Sequence, residues 1–346
     1  MFIAATGMTC PIGLSAAAAC AAYRAKISAF GELAFADAQR EPIIGARLPG
    51  SPERGPRPVT AMLTAALADL FNDAPSQARW EHVPLVVGLA EADRPGASAA
   101  LGSTIIAEVQ QALMVKFHAQ YSRTLPRGHV AGFEGLRVAH ELLNSGAAPG
   151  VIVAGVDSLL PADTLAWLAK HHRLKTSTQR DGVIPGEAAA AVLVQRSPTP
   201  TTVTTIAGLG SAKEQAHILS GEPLLGLGLA GAAKSALDEA RLALHEVDGR
   251  LSDVTGELYG FKELPLVTSR LMRVRRATDQ PVWTWADSIG DSGAAAGIAQ
   301  LVVADDALRK GYAPGDRLLC LTSSAGGDRA AAVLRRHTSQ AIERSA

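Results

Sequence analysis

The chain has 346 residues, 47% of them hydrophobic and 19% charged, with 33 basic against 33 acidic side chains. That length allows one large core or two packed halves, and the apolar share excludes a disordered chain. The balanced charge leaves no global field to draw nucleic acid or an anionic membrane.

Three cysteines, Cys10, Cys20 and Cys320, have no C-x-x-C spacing and read as reduced core residues rather than a disulfide scaffold or a zinc site. The start Met1-Phe2-Ile3-Ala4-Ala5-Thr6-Gly7 lacks the charged opening and apolar run of a signal peptide, and no run reaches the roughly 18–20 apolar residues of a membrane helix. The expectation is a cytoplasmic protein.

Residues 2–5 read as a short strand and 14–24 as an alanine-rich helix. The stretch 49–58, rich in proline and glycine, reads as loop. A helix follows at 59–71, a buried strand at 83–89 and a helix at 103–115. A strand-like run between Phe117 and Tyr121 then leads to Arg127-Gly128-His129-Val130-Ala131-Gly132-Phe133, and a helix leaves at 133–143. A strand turning into a helix through small residues exposes one side chain and offers free N–H groups to a developing negative charge, as a nucleophile turn does. The exposed residue here is His129. At a helix N-terminus the dipole opposes protonation, so a neutral imidazole is expected.

The β-branched run 150–155 reads as a strand covered on both faces, 163–171 as helix and 187–195 as strand. Ser197-Pro198-Thr199-Pro200-Thr201-Thr202 breaks the pattern and divides the chain into halves, 1–196 and 203–346. The second half repeats the order: strand 203–207, helix 230–245, strand 253–259, helix 264–276, strand 281–285, helix 292–308, strands 317–321 and 330–334. Alternating strand and helix predicts an α/β fold with a mostly parallel sheet. No P-loop, dinucleotide fingerprint or metal motif occurs, so no cofactor and no metal are expected.

Several stretches carry a resemblance to the thiolase-fold superfamily, nearest the β-ketoacyl synthases. Thr6-Gly7-Met8-Thr9-Cys10-Pro11-Ile12-Gly13 resembles the family's opening strand and turn. Val151-Ile152-Val153-Ala154-Gly155-Val156-Asp157-Ser158 resembles its strand after the nucleophile helix. Asp181-Gly182-Val183-Ile184-Pro185-Gly186-Glu187 resembles its D-G-x-x-x-G-E motif, and Gly326-Gly327 falls where its C-terminal G-F-G-G loop ends. The resemblance implies two similar βαβαβαββ-type halves in a layered α-β-α-β-α core, and links to fatty acid or polyketide biosynthesis.

The family's catalytic residues do not carry over. Counted along the chain, its cysteine position holds His129, its first histidine position Tyr259 and its second Asp287. If the family's geometry holds, His129, Tyr259 and Asp287 form a polar trio, with Gly326 and Gly327 as the oxyanion loop. His129 is expected to fill the inherited pocket rather than attack a thioester. The resemblance therefore implies a partner subunit, adaptor or binding scaffold without condensing activity, such as the chain-length-factor subunits. It also carries an association with type VI secretion accessories. The alternative is an acyltransferase or decarboxylase on acyl thioesters. Relatives pair as dimers, which implies a homodimer or heterodimer through the strand between Phe117 and Tyr121, with an acyl-carrier protein or a protein client as a further partner. Arg270, Arg273, Arg275 and Arg276 form a basic cluster, read as a solvated flank or a site for an acidic partner.

Overall fold

The structure is a computed structural model describing residues 1–50, 58–75, 78–97, 101–199 and 201–337. Most of the loop expected at 49–58, and Pro200 of the boundary segment, lie outside the described residues.

The first half runs β1 (Phe2–Thr9), α1 (Ala16–Arg24), β2 (Phe30–Ala36), β3 (Pro42–Ala46), α2 (Val59–Asp73), β4 (Leu85–Leu89), α3 (Leu101–Leu113), β5 (Arg123–Pro126), α4 (Ala131–Asn144), β6 (Gly150–Ser158), α5 (Ala162–Lys170) and β7 (Glu187–Gln195). The second runs β8 (Thr204–Lys213), α6 (Leu227–Glu239), β9 (Gly249–Ser252), α7 (Leu258–Leu271), β10 (Val282–Thr284), α8 (Ala286–Ile289), α9 (Ala296–Lys310), β11 (Arg317–Ser323) and β12 (Asp328–Arg336).

Ten strands form one sheet in the order β10-β9-β11-β12-β8-β1-β7-β6-β4-β5. Each half supplies five neighbouring strands. The two sections meet only where β1 pairs with β8, at Phe2 with Thr205 and Ile3 with Thr204. Helices α4 and α9 touch strands of both sections and lie between them, while α2 packs on the first section and α6 on the second. This is the layered α-β-α-β-α arrangement. The middle layer is built for close approach. Gly132 of α4 sits where a Cβ would come 2.7 Å from Ile298 of α9. The largest apolar cluster joins Phe133 and Leu136 to Ile298 and Leu301, with strand residues from both sections around them. None of the described helices is long and apolar enough to cross a membrane.

Several sequence expectations need correction. The sheet is mixed rather than mostly parallel: β4, β5 and β6 run parallel, as do β9, β10 and β11, but β7 is antiparallel to both β1 and β6. The run from Phe117 to Tyr121 is not a strand. Its backbone donors are taken elsewhere, Phe117 N–H by the Gln110 side chain (2.8 Å) and His118 N–H by the Val83 carbonyl (3.1 Å). The edge strand is β5, directly after it. The strand expected at 253–259 ends at Ser252, and Tyr259 lies in the first turn of α7. The β2–β3 hairpin was not anticipated.

Candidate functional site

The candidate site forms where β5 gives way to α4. Gly128, His129 and Val130 make a 3-10 turn before the helix. Gly128 has φ +60°, which favours glycine, and a Cβ there would lie 1.9 Å from the Glu91 carboxylate and push it aside. His129 Nε2 lies 2.7 Å from Asp291 Oδ1. Asp291 stands on the loop between α8 and α9, and its Oδ1 also accepts the Gly293 N–H at 2.9 Å. The glycine-rich motif at 181–187 fixes that loop: Asp291 N–H donates to the Ile184 carbonyl (2.8 Å), and Gly186 N–H donates to the Asp291 carbonyl (2.9 Å). A side chain on Gly186 would run into the Ile289 carbonyl at 2.0 Å. The most specific sequence motif thus serves to place an aspartate.

A second carboxylate comes from the same half as Asp291. Asp253 follows β9 and accepts the Ser323 N–H at 2.8 Å. Burial alone would depress the His129 pKa, but the charge of Asp291, its hydrogen bond and the charge of Asp253 outweigh burial and raise it well above the usual imidazole value. Burial pushes Asp291 up, and the His129 charge and hydrogen bond then hold it below the usual carboxylate range. These carboxylates favour the protonated imidazole, against the neutral form that the helix dipole favours. A helix end contributes about 0.3–1 kcal/mol at an exposed position, less than a carboxylate in direct contact. His129 Nδ1 has no hydrogen-bond partner.

Asp253 is raised to about 6, chiefly by burial, with His129 and the Ser323 N–H opposing. The folded state therefore holds this proton more tightly than the unfolded chain, whose aspartate titrates near ~3.9. The contribution is present below pH ~4 and is lost as pH rises through about 6. Asp253→Asn keeps an acceptor for Ser323 and removes the titration. It is expected to raise stability at pH 7.5 by about 2 kcal/mol, with the gain gone by pH ~4. Urea unfolding at the two pH values checks this; an equal gain at both would count against it.

The loop after β11 closes the other side. Ser324 Oγ donates to the Arg127 carbonyl (3.0 Å) and accepts the Val130 N–H (3.4 Å). Gly327 N–H donates to the Ser324 carbonyl at 3.1 Å. Two donors beside the turn, the Val130 and Gly327 N–H groups, are thus engaged within the protein. Arg329, 1% exposed, anchors the loop: its guanidinium donates to Glu263, to the Ser324 carbonyl and to the Tyr259 hydroxyl, each at 2.8 Å. Tyr259 in turn donates to the Ala216 carbonyl at 2.8 Å. Arg173 and Glu257 form a two-bond ion pair (2.7 and 2.8 Å) over the rim, joining the halves. Beneath them the cavity bordered by His129, Asp253, Tyr259 and Asp291 measures about 50 Å³, room for a water or two and not for an acyl chain. A second cavity of about 270 Å³ reaches His129 and Asp291 past Trp167 and Gly326.

Of the expected trio, His129 and Tyr259 border one cavity and Asp287 does not join them. Asp287 is exposed and bonded to the Thr284 hydroxyl. The aspartate at the site is Asp291, beyond α8 and the left-handed Gly290 (φ +70°). Gly326 borders the larger cavity, whereas Gly327, at φ +97°, is bound back into the loop. Sequence reasoning missed Asp253, Asp291, Arg173 and Arg329. The available signals were Gly290-Asp291 just before the alanine-rich helix, and a lone arginine entering the apolar run Ala330 to Leu334.

No protein-family profile and no curated protein matches the sequence. Solved structures do. The ishigamide ketosynthase/chain length factor superposes with a TM-score of 0.72 at 19% identity, over 97% of this chain and 99% of that one. A chain of the AntDE:AntF complex, described as a type II PKS acyl-carrier protein in complex with its ketosynthase bound to the hexaketide, gives 0.78 at 14% identity, over 96% of this chain and 98% of that one. A β-ketoacyl synthase from Burkholderia phymatum STM815 gives 0.74 at 17%, over 97% and 99%. At these identities the likeness carries the fold alone: this chain has a thiolase-like α/β fold.

Proposed function

We propose that this ketosynthase-like fold works without a condensation step, as a partner subunit or binding scaffold for another protein. The observation that carries the reading is the His129–Asp291 pair. At the turn where the fold presents a nucleophile, this chain holds a histidine whose Nε2 is clamped by one carboxylate and faced by a second, an environment that favours the protonated imidazole. A protonated imidazole has no lone pair with which to attack an acyl group. On its Asp253 side the cavity of about 50 Å³ is too small for a growing chain, so any acyl group would have to enter through the cavity of about 270 Å³ past Trp167.

The similar structures include a ketosynthase/chain length factor and a ketosynthase with an acyl-carrier protein, which supports a paired role with such proteins as partners. The unpaired edge of β5 is the surface we assign to pairing, in place of the run between Phe117 and Tyr121. The secretion-associated role finds no support in the site. The decarboxylase alternative needs free oxyanion donors, and Val130 N–H and Gly327 N–H are both bonded to Ser324.

Intact mass after incubation with acyl-CoA and acylated carrier protein tests the proposal. The expected result is an unmodified chain and no release of CO2 from a malonyl thioester. A stoichiometric acyl adduct, lost in His129→Ala, overturns it.

A further inference from the structure

The cavity of about 270 Å³ beside His129 has walls whose charges do not balance. Three cations on them already hold a carboxylate each. Arg94 bonds Asp157 through both terminal nitrogens, Arg173 bonds Glu257, and His129 meets Asp291. His171 is exposed, with Nδ1 2.8 Å from the Trp167 carbonyl. Glu91 and Asp93 remain. The one ion-pair contact of Glu91 is with Arg94 at 4.0 Å, and neither acid accepts a hydrogen bond among the described residues. Five carboxylates thus face four basic groups, even with His171 protonated. Glu91 reaches this wall because Gly128 has no side chain, since a Cβ there would lie 1.9 Å from its carboxylate.

A donor is unmatched as well. Arg94, with 9% of its side chain exposed, has a buried Nε–H without a partner. Its charge is already matched by Asp157, so this N–H suits a neutral acceptor better than a further anion. The rest of the wall includes Leu159, Leu168 and Trp167.

We propose that this cavity binds a small primary amine carrying a neutral hydrogen-bond acceptor, as an amino-acid amide does. The ammonium meets Glu91 and Asp93, the acceptor meets the Arg94 Nε–H, and an alkyl body packs on Leu159, Leu168 and Trp167. An anionic ligand would add to a wall that is already negative. A wholly apolar ligand would cover Glu91 and leave its charge unpaired, which is costly. The volume, about 270 Å³, lies below the roughly 300–1,000 Å³ of drug-sized sites, which limits the ligand to a small molecule. The proposal rests on reading this site as a binding pocket rather than a reaction centre.

Calorimetric titration of the full chain with L-leucinamide at pH ~6, where an α-amine is charged, tests it. Saturable binding is expected. 4-Methylpentanamide, the same alkyl amide without the amine, should not bind. Glu91→Gln should weaken leucinamide about tenfold or more. Glu141→Gln, at an exposed acid of α4, should leave it unchanged, and unaltered urea midpoints confirm that both variants fold. Absent binding of leucinamide, equal affinity for 4-methylpentanamide, or full affinity in Glu91→Gln overturns the proposal. Tighter binding of Leu-Gly-Gly amide overturns the assignment to a small molecule. The titration contains no thioester, so its failure leaves the acyl-adduct result standing, and an adduct in that experiment is seen whether or not the amine binds.

Discussion

Replacing His129 by alanine is expected to destabilise the chain by about 3–5 kcal/mol at neutral pH, read as a lower midpoint in urea. The cause is what remains. Asp291, 4% exposed, keeps the Gly293 N–H but loses its counter-ion, and Asp253 loses the positive charge that most offsets its burial. The sign with pH follows from the shifts. His129 is raised, so its contribution is full below the unfolded value of ~6.5 and is lost as pH climbs through the folded value on the alkaline side. Asp291 is lowered, so its contribution is full above the unfolded value of ~3.9 and is lost as pH falls below it. The gap between wild type and His129→Ala should therefore be widest between about pH 4 and 6.5 and should narrow toward either extreme. His129→Ala/Asp291→Ala should lose less than the sum of the single losses, because the second change removes the stranded charge. A single variant as stable as wild type would mean that His129 is not the charge holding this cluster together.

The sequence made some of this visible, and the limits have physical causes. The bounds expected for β7, Glu187–Gln195, match, because its run of small and β-branched residues is buried on both faces and local pattern decides it. The nucleophile turn was legible for a similar reason: its Gly128 answers to local backbone geometry at φ +60°. The site around it was not. The His129 charge depends on Asp253 and Asp291, which the fold brings in from the other half, while the dipole argument used only the helix that follows. Asp287 stood in for Asp291 because a count along the chain cannot see that α8 and Gly290 consume one turn before the carboxylate faces inward. The run from Phe117 to Tyr121 has strand-like alternation, yet its donors bond to Gln110 and Val83, a pairing no local pattern encodes.

Arg329→Met is expected to cost a similar ~3–5 kcal/mol, by a route independent of His129. Methionine retains much of the packing volume but none of the donors. Glu263, 1% exposed, would keep only the Ser323 hydroxyl at 3.0 Å, and the Ser324 carbonyl would lose its guanidinium partner. Because Ser324 also ties down Arg127 and Val130, the variant should loosen the loop after β11 and open the small cavity. Faster amide exchange at 323–327 would register that motion. Arg329→Lys should recover little, since a point charge cannot reach Glu263, Ser324 and Tyr259 at once as the planar fork does. Arg329→Met/Glu263→Met separates the two contributions. If most of the loss comes from stranding a buried carboxylate, the double variant returns to within about 1–2 kcal/mol of wild type, as apolar replacements of buried ion pairs do. If the loss persists in full, the hydrogen bonds to the loop carry the effect, and amide exchange at 323–327 should stay fast. A single variant within about 1 kcal/mol of wild type contradicts both accounts, since nothing else among the described residues supplies Glu263 with a positive charge.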